Sequence, residues 1–145
     1  MIVIADSNIF ISSIYTPYGI TADILTSKNN IQFLSPDFVL DEIRNHLSEI
    51  AEKSGKSKRE IAVILKKITA KVVFYSADEI PESQIKKAIE IVRDIDIDDT
   101  FFVALHLHTK HKLWTGDKML INGLKKKGYD ICITTAQLKK SLYKK

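Results

Sequence analysis

The sequence predicts an α/β fold, a central and mostly parallel sheet with helices on both faces. Three observations carry this expectation. Short β-branched apolar runs such as "MIVIA", "IQFL", "VVFY" and "ICIT" alternate with longer segments whose apolar residues recur at helical spacing. These runs are continuously apolar rather than alternating, which suits strands buried on both sides of a sheet. The 145 residues, 45% of them hydrophobic, make the size of one ordinary domain with a sizeable core, and no repeat or low-complexity linker divides them. Residues 1–145 are therefore read as a single domain.

Taken in order, "MIVIAD" reads as a buried strand that ends in an acid, followed by a short helix from the Ser7 and Asn8 region and another around Thr21 to Ser27. "IQFL" is a second strand. Ser35 and Pro36 then offer an N-cap and a first-turn proline, so a helix is expected to start there and to run through Val39, Ile43, Leu47 and Ile50 until Gly55 stops it. In "SKRE", Ser57 and Glu60 stand in capping-box register ahead of a stripe of Ile61, Ile64, Leu65 and Ile68, and the two helices should form a hairpin. "VVFY" is a third strand, and Pro81 opens a helix with Ile85, Ala88, Ile89 and Val92 on its stripe. "TFFVALHL" is apolar all round, the mark of a central buried helix. "KLWTGD" gives a strand with a glycine turn, and "KMLINGLKKKG" a helix closed by Gly128. "ICIT" is a last strand, capped into a tail helix by Thr134 or Thr135.

Composition narrows the function classes. No apolar stretch approaches the roughly 18 residues of a membrane span. "MIVIADSNIF" lacks the basic leader and cleavage site of a secretion signal, so a cytoplasmic protein without membrane contact is expected. The lone Cys132 can build neither an internal disulfide nor a cysteine zinc site, and reads as a buried strand thiol. A formal net charge of +4 favours a polyanionic partner, with lysines clustered in "KSGKSKRE", "GLKKKGYD" and "LKKSLYKK".

Against that basic background the run "DIDIDDTFFVAL" sets several carboxylates beside a buried helix. Ligands of open parallel sheets bind beyond the carboxyl ends of the strands, near the point where strand order reverses. Asp6 ends the first strand, Asp117 follows the "KLWTG" strand across a one-residue glycine turn, Asp99 stands at the mouth of "TFFVAL", and Glu42 borders the core-facing Ile43. Acids converging from these segments would repel one another and resist desolvation unless a cation joined them. A hard divalent ion with oxygen ligands, Mg²⁺ or Mn²⁺, answers this and brings phosphodiester hydrolysis within reach.

"ADSNIFISS", "LDEI", "DIDDTFFVALHL" and "LWTGDKML" resemble, in order and spacing, the four acidic motifs of the PIN-domain ribonucleases, over nearly the whole chain. The resemblance implies a PIN-like fold and a Mg²⁺- or Mn²⁺-dependent endoribonuclease, with Asp6, Glu42, Asp99 and Asp117 as the catalytic, metal-binding quartet and Asp96 as an auxiliary metal-binding acid. It makes Asn8 and Thr115 candidates for orienting carboxylates or water. Small members of the family are VapC-like toxins of toxin–antitoxin modules, so RNA as substrate, an antitoxin protein as inhibitor and a homodimer are implied as partners. One departure is visible: many relatives carry a further acid where this chain has Met119.

Other readings compete. Asp99 and Asp117 could each be helix caps, and a phase error of one residue would exchange Glu42 for Asp41. Lys118, beside Asp117, is the basic residue expected to contact the substrate phosphate. His106, His108 and His111 lack the further ligands of a zinc site, and Trp114 in a strand pattern is expected in the core. "DIDDT" also resembles the Asp-x-Asp-x-Thr motif of haloacid-dehalogenase-type phosphatases, which would need a buried strand immediately before it. A PIN-like module that binds RNA or protein without cutting is the remaining alternative.

Overall fold

In the computed structural model, which describes residues 1–142, the first strand lies at the centre of the sheet. β1 (Ile2–Ala5) pairs in parallel with β2 (Gln32–Pro36) on one side and with β4 (Lys112–Trp114) on the other. β3 (Val72–Tyr75) extends the β2 side and β5 (Cys132–Ile133) the β4 side, giving five parallel strands in the order β3-β2-β1-β4-β5. Strand order reverses between β1 and β4, so the crevice at their carboxyl ends is the place where such a sheet presents a site.

The connections are helical. α1 (Ser7–Tyr15) and α2 (Ile20–Thr26) link β1 to β2; α3 (Phe38–Asn45), α4 (Leu47–Ser54) and α5 (Lys58–Ile68) link β2 to β3. α6 (Glu82–Val92) and α7 (Thr100–Thr109) lead to β4, α8 (Lys118–Lys126) to β5, and α9 (Thr135–Leu142) follows β5. Right-handed crossovers put the α1–α5 group and the α6–α7 pair on opposite faces, and α9 packs back against α2. The packing agrees. α1 touches α2, α3, α4 and α5, whereas α7 lies across β1, β2 and β4 with α6 against it. Among the described residues no helix is long and apolar enough to cross a membrane.

The core explains why these segments take these forms. Val3, Ile4 and Ala5 are buried, as are Phe33, Leu113 and Trp114 on the neighbouring strands. The Phe33 and Trp114 rings tilt against each other with centroids 5.8 Å apart. Trp114 is a core residue as expected, and its indole N–H donates to the Thr135 hydroxyl at 3.0 Å. α7 is buried at Phe102, Val103, Ala104, Leu105 and Leu107, matching its unbroken apolar sequence. The Ser57–Glu60 capping box is formed, Gly55 and Gly128 take positive φ just past helix ends, and Thr134 caps α9 by accepting from the Gln137 N–H.

Three expectations change. Ser35 and Pro36 do not start a helix; they are the last residues of β2, and α3 begins after Asp37. The ladder shows why. The Gln32 N–H donates to the Met1 carbonyl, and by the two-residue step of a parallel ladder the Ala5 carbonyl would next look to residue 36, which as proline has no N–H. The buried Ser35 hydroxyl supplies the missing donor to the Ala5 carbonyl at 3.0 Å. The helix expected through Ile43 and Leu47 is two, broken at His46, because apolar spacing continues across a change of axis that it cannot register. On α6 the buried positions include Ile91, with Ile89 only half-buried.

Replacing Ser35 with alanine should orphan the Ala5 carbonyl. We expect the urea-unfolding free energy to fall by about 1–3 kcal/mol, the cost of an unsatisfied buried acceptor, with an unchanged m-value.

Candidate active site

Asp6 is fixed from both sides. Its N–H donates to the Trp114 carbonyl at 3.1 Å, extending the β1–β4 ladder, and its carbonyl accepts from Ile9 as α1 begins. The side chain is 2% exposed. Thr115, buried directly after β4, donates its hydroxyl to Asp6 Oδ2 at 2.7 Å, and Ser7 donates to Oδ1 at 3.4 Å. Burial pushes the Asp6 carboxyl up from its ordinary value and the charge of Asp117 adds to this, while the Thr115 and Ser7 hydrogen bonds oppose it. The same Thr115 hydroxyl accepts the Asp117 N–H at 3.1 Å, so one side chain ties together the ends of β1 and of the β4 turn.

Asp117 is both a member of the site and a helix cap, its Oδ1 accepting the Leu120 N–H at 3.2 Å. Asp99 is different. It occupies the N-cap position of α7 but makes no capping hydrogen bond, so the capping expectation holds for Asp117 and fails for Asp99. Its residue is 8% exposed, and Oδ2 is one of two buried side-chain atoms without a hydrogen-bond partner among the described residues. Burial first, and then the charges of Asp6, Asp96, Asp117 and Asp98, together push its carboxyl up to about 7. α7 cannot turn to release it, since the helix is packed across three strands.

Asp96 shapes the loop that delivers Asp99. Its carboxylate accepts the Asp98 N–H at 3.0 Å and its carbonyl accepts the Asp99 N–H at 3.1 Å, which closes a short 3₁₀ turn over Ile97–Asp99. Asp96 is exposed and acts on the site through its field on Asp99. Asp94 pairs with Lys127, away from the acids. Asp41 and Glu42 differ in exposure: Asp41 is solvated and paired with Arg44 at 2.8 Å, whereas Glu42 is half-buried, pushed up first by burial and then by Asp6 and Asp98.

Two polar residues exchange importance. Asn8, expected to orient carboxylates or a bound water, is exposed, and among the described residues makes no hydrogen bond to the acids. Ser7 does that work, reaching Asp6 and lowering Glu42 through its hydroxyl. A hydroxyl immediately after the strand-ending acid was the available signal. Lys118 is exposed beside Asp117, and the solvated Met119 follows it. The histidines stay outside the site: His106 Nδ1 bonds the His111 carbonyl at 2.7 Å at the far end of α7. Burial pushes the half-buried Cys132 thiol up to about 12, leaving it inert. "DIDDT" follows α6 rather than a strand, which removes the phosphatase reading.

The sheet edge thus brings Asp6, Asp99 and Asp117 into one electrostatic field, with Glu42 coupled to Asp6. Among the described residues, however, no three His, Cys, Asp or Glu side chains form a group that could hold a metal ion. Coupling and spacing therefore say different things, and both are physical: the acids feel one another without forming a closed cage. A hard cation fits this arrangement. The donors are all oxygen, the Asp99 oxygen lacks any partner, and Mg²⁺ retains several waters instead of demanding a full protein shell. The family model for the PIN domain matches residues 4–141. The chain belongs to the PIN-domain family. PIN domains are generally nucleases and typically use divalent metals, and the acids of this one lie at the switch point of its sheet. No match is found among curated proteins.

The raised Asp99 carboxyl sets a pH dependence for this PIN domain. Between its unfolded value of 3.8 and about 7, the folded protein holds a proton that the unfolded chain has released. Stability from this group is therefore full below about pH 4 and falls as pH rises to about 7. In chelator, the Asp99→Asn protein should exceed the original by about 1–2 kcal/mol at pH 8, less than full linkage because water at the pocket mouth screens the charges, and by less at pH 5. Equal thermal shifts at the two pH values would show that the carboxyl is not strained.

Proposed function

We propose that this PIN domain is a Mg²⁺- or Mn²⁺-dependent endoribonuclease that hydrolyses RNA phosphodiester bonds, with Asp6, Asp99, Asp117 and Glu42 as its catalytic acids. The observation that carries the reading is the buried, unpartnered Asp99 oxygen in the field of four further aspartates at the end of a parallel sheet. A carboxylate held so is costly unless positive charge arrives. The divalent ion, when bound by these acids, supplies a Lewis acid beside the phosphodiester and stabilises the charge that develops there.

The chain's own residues do the rest. Thr115 and Ser7 hold the Asp6 carboxylate in one orientation, and Thr115 also fixes the backbone of Asp117. The first turn of α7 holds Asp99 against the sheet, with the turn made by Asp96 behind it. Lys118 provides a cation next to Asp117 for a substrate phosphate. A net charge of +4 draws the polyanion to a pocket that would otherwise repel it. We further propose that the nuclease is the toxin of a toxin–antitoxin pair, with RNA, a small antitoxin and a second copy of the chain as partners. The resemblance to VapC-like toxins supports this, and a short reading frame directly upstream, coding a DNA-binding head and a flexible tail, is its genomic test.

Cleavage of labelled RNA in Mn²⁺ should fall by about 100-fold or more in Asp6→Asn and in Asp99→Asn, the scale on which one preorganised electrostatic group acts. Their circular dichroism should be unchanged, because the amide oxygen of Asp6→Asn can still accept the Thr115 bond and Asp99 Oδ2 has no bond to lose. Full activity in either variant removes these acids from the mechanism.

Thr115→Val should lower cleavage by about 10- to 100-fold, the range for a group that orients a ligating carboxylate, and Thr115→Ser should restore most of it. Equal loss in the valine and serine proteins would mean that shape, not the hydrogen bond, is what matters.

A further inference from the structure

A groove leaves the acid cluster beside Asp117. It runs between the first turns of α1 and α8, has a volume of about 600 Å³, and is lined by Asn8, Ser12, Thr21, Lys118, Met119 and Thr135 together with Asp117. That volume lies in the range of sites that enclose small organic groups. Asp117 belongs to both the groove and the acids, so a strand lying over the acids continues into it.

Apart from Lys118, a cation suited to the backbone phosphate, the lining has the chemistry of a base. Met119 is 71% exposed, a large thioether left in water at the start of α8 where burial would favour it. Sulfur packs well against aromatic faces. Asn8 is exposed on the opposite wall, and its side-chain amide offers both a donor pair and an acceptor. Thr135 Oγ1 already accepts from the Trp114 indole, which leaves its own proton to donate. Met119 is also the ridge to a second groove along α8 that carries Lys118 and Lys126, cations suited to the phosphates on either side of an inserted base.

We propose that this groove receives the nucleobase of an unpaired nucleotide adjacent to the phosphodiester over the acids, with Met119 against its face and the Asn8 amide at its edge. The inference rests on the nuclease reading and deepens it by naming where the base beside the cut is held. A paired base has its edge engaged and both faces stacked, so it cannot enter a groove that needs face and edge together.

The test reads binding without cutting. In the Asp6→Asn background, the affinity for a labelled single-stranded RNA in Mg²⁺ is compared with that for the same RNA carrying one abasic nucleotide, moved stepwise along the strand. At one position, loss of the base should weaken binding by about 3- to 10-fold, the scale of a sulfur–aromatic contact plus an edge hydrogen bond. Adding Met119→Ala should weaken the intact RNA similarly and leave that abasic RNA unaffected; Asn8→Ala should do the same more weakly. A complementary strand over that nucleotide should lower affinity. Equal weakening of intact and abasic RNA by Met119→Ala, or a duplex bound as tightly as the single strand, overturns the proposal. Because Met119 is solvated, its truncation leaves the core in place, which an unchanged melting temperature verifies. Failure of the nuclease reading looks different: no cleavage by the unaltered chain in Mn²⁺, with the base-dependent binding intact.

Discussion

The arrangement depends on carboxylates being held out of water by elements that cannot move to relieve them. Asp6 is tied by its backbone to Trp114, and Asp99 rides on a helix buried on nearly every side. Neither can swing out to solvent without breaking the sheet or unpacking α7. The hydrophobic core is what holds this strain. Folding free energies are only about 5–15 kcal/mol, so one raised carboxyl is a large fraction of the whole. That a chain of ordinary size carries it places the cost on function rather than on folding.

The parallel sheet does the positioning. Because β1 is central and strand order reverses beside it, the chain leaves the sheet at Asp6 and at the Thr115–Asp117 turn within reach of each other, although 109 residues separate Asp6 from Thr115. Even the proline that ends β2 serves this corner. By denying the Ala5 carbonyl its ladder donor, Pro36 makes it depend on the Ser35 hydroxyl, and the strand stops there, leaving the residue after Ala5 to turn into the site.

Much of this was legible in the sequence, and what was not has identifiable causes. The alternation of apolar runs and helical stripes named all five strands and placed Asp6, Asp99 and Asp117 at element ends, with Glu42 on a helix beside a core-facing residue. Ser35 and Pro36 misled because Ser-Pro before a helical stripe is a local helix-start signal, whereas the pairing with β3 that makes them strand is non-local. Asn8 misled for a rotational reason. Counting along the chain does not tell which side of a helix faces a pocket, and at about 100° per residue the step from Ser7 to Asn8 turns one toward Asp6 and the other to solvent. Asp99 has the residue type and the position of an N-cap; only the packing that directs its oxygen inward distinguishes it from Asp117, which does cap.

That difference orders the acids. A carboxylate offers about four lone-pair sites, and the more of them the protein fills, the less remains for a ligand. Asp117 spends one on the α8 cap, and Asp6 spends one on Thr115 and a long contact with Ser7. Asp99 Oδ2 spends none and is the most strained. The protein therefore fixes the β1 and β4 corner by its own hydrogen bonds and leaves the α7 side to be completed from outside. Attraction to a cation grows with the strain it relieves, so on the proposed reading Asp99 would be the acid whose energy changes most when a cation binds, and Asp6, already oriented, the one that moves least.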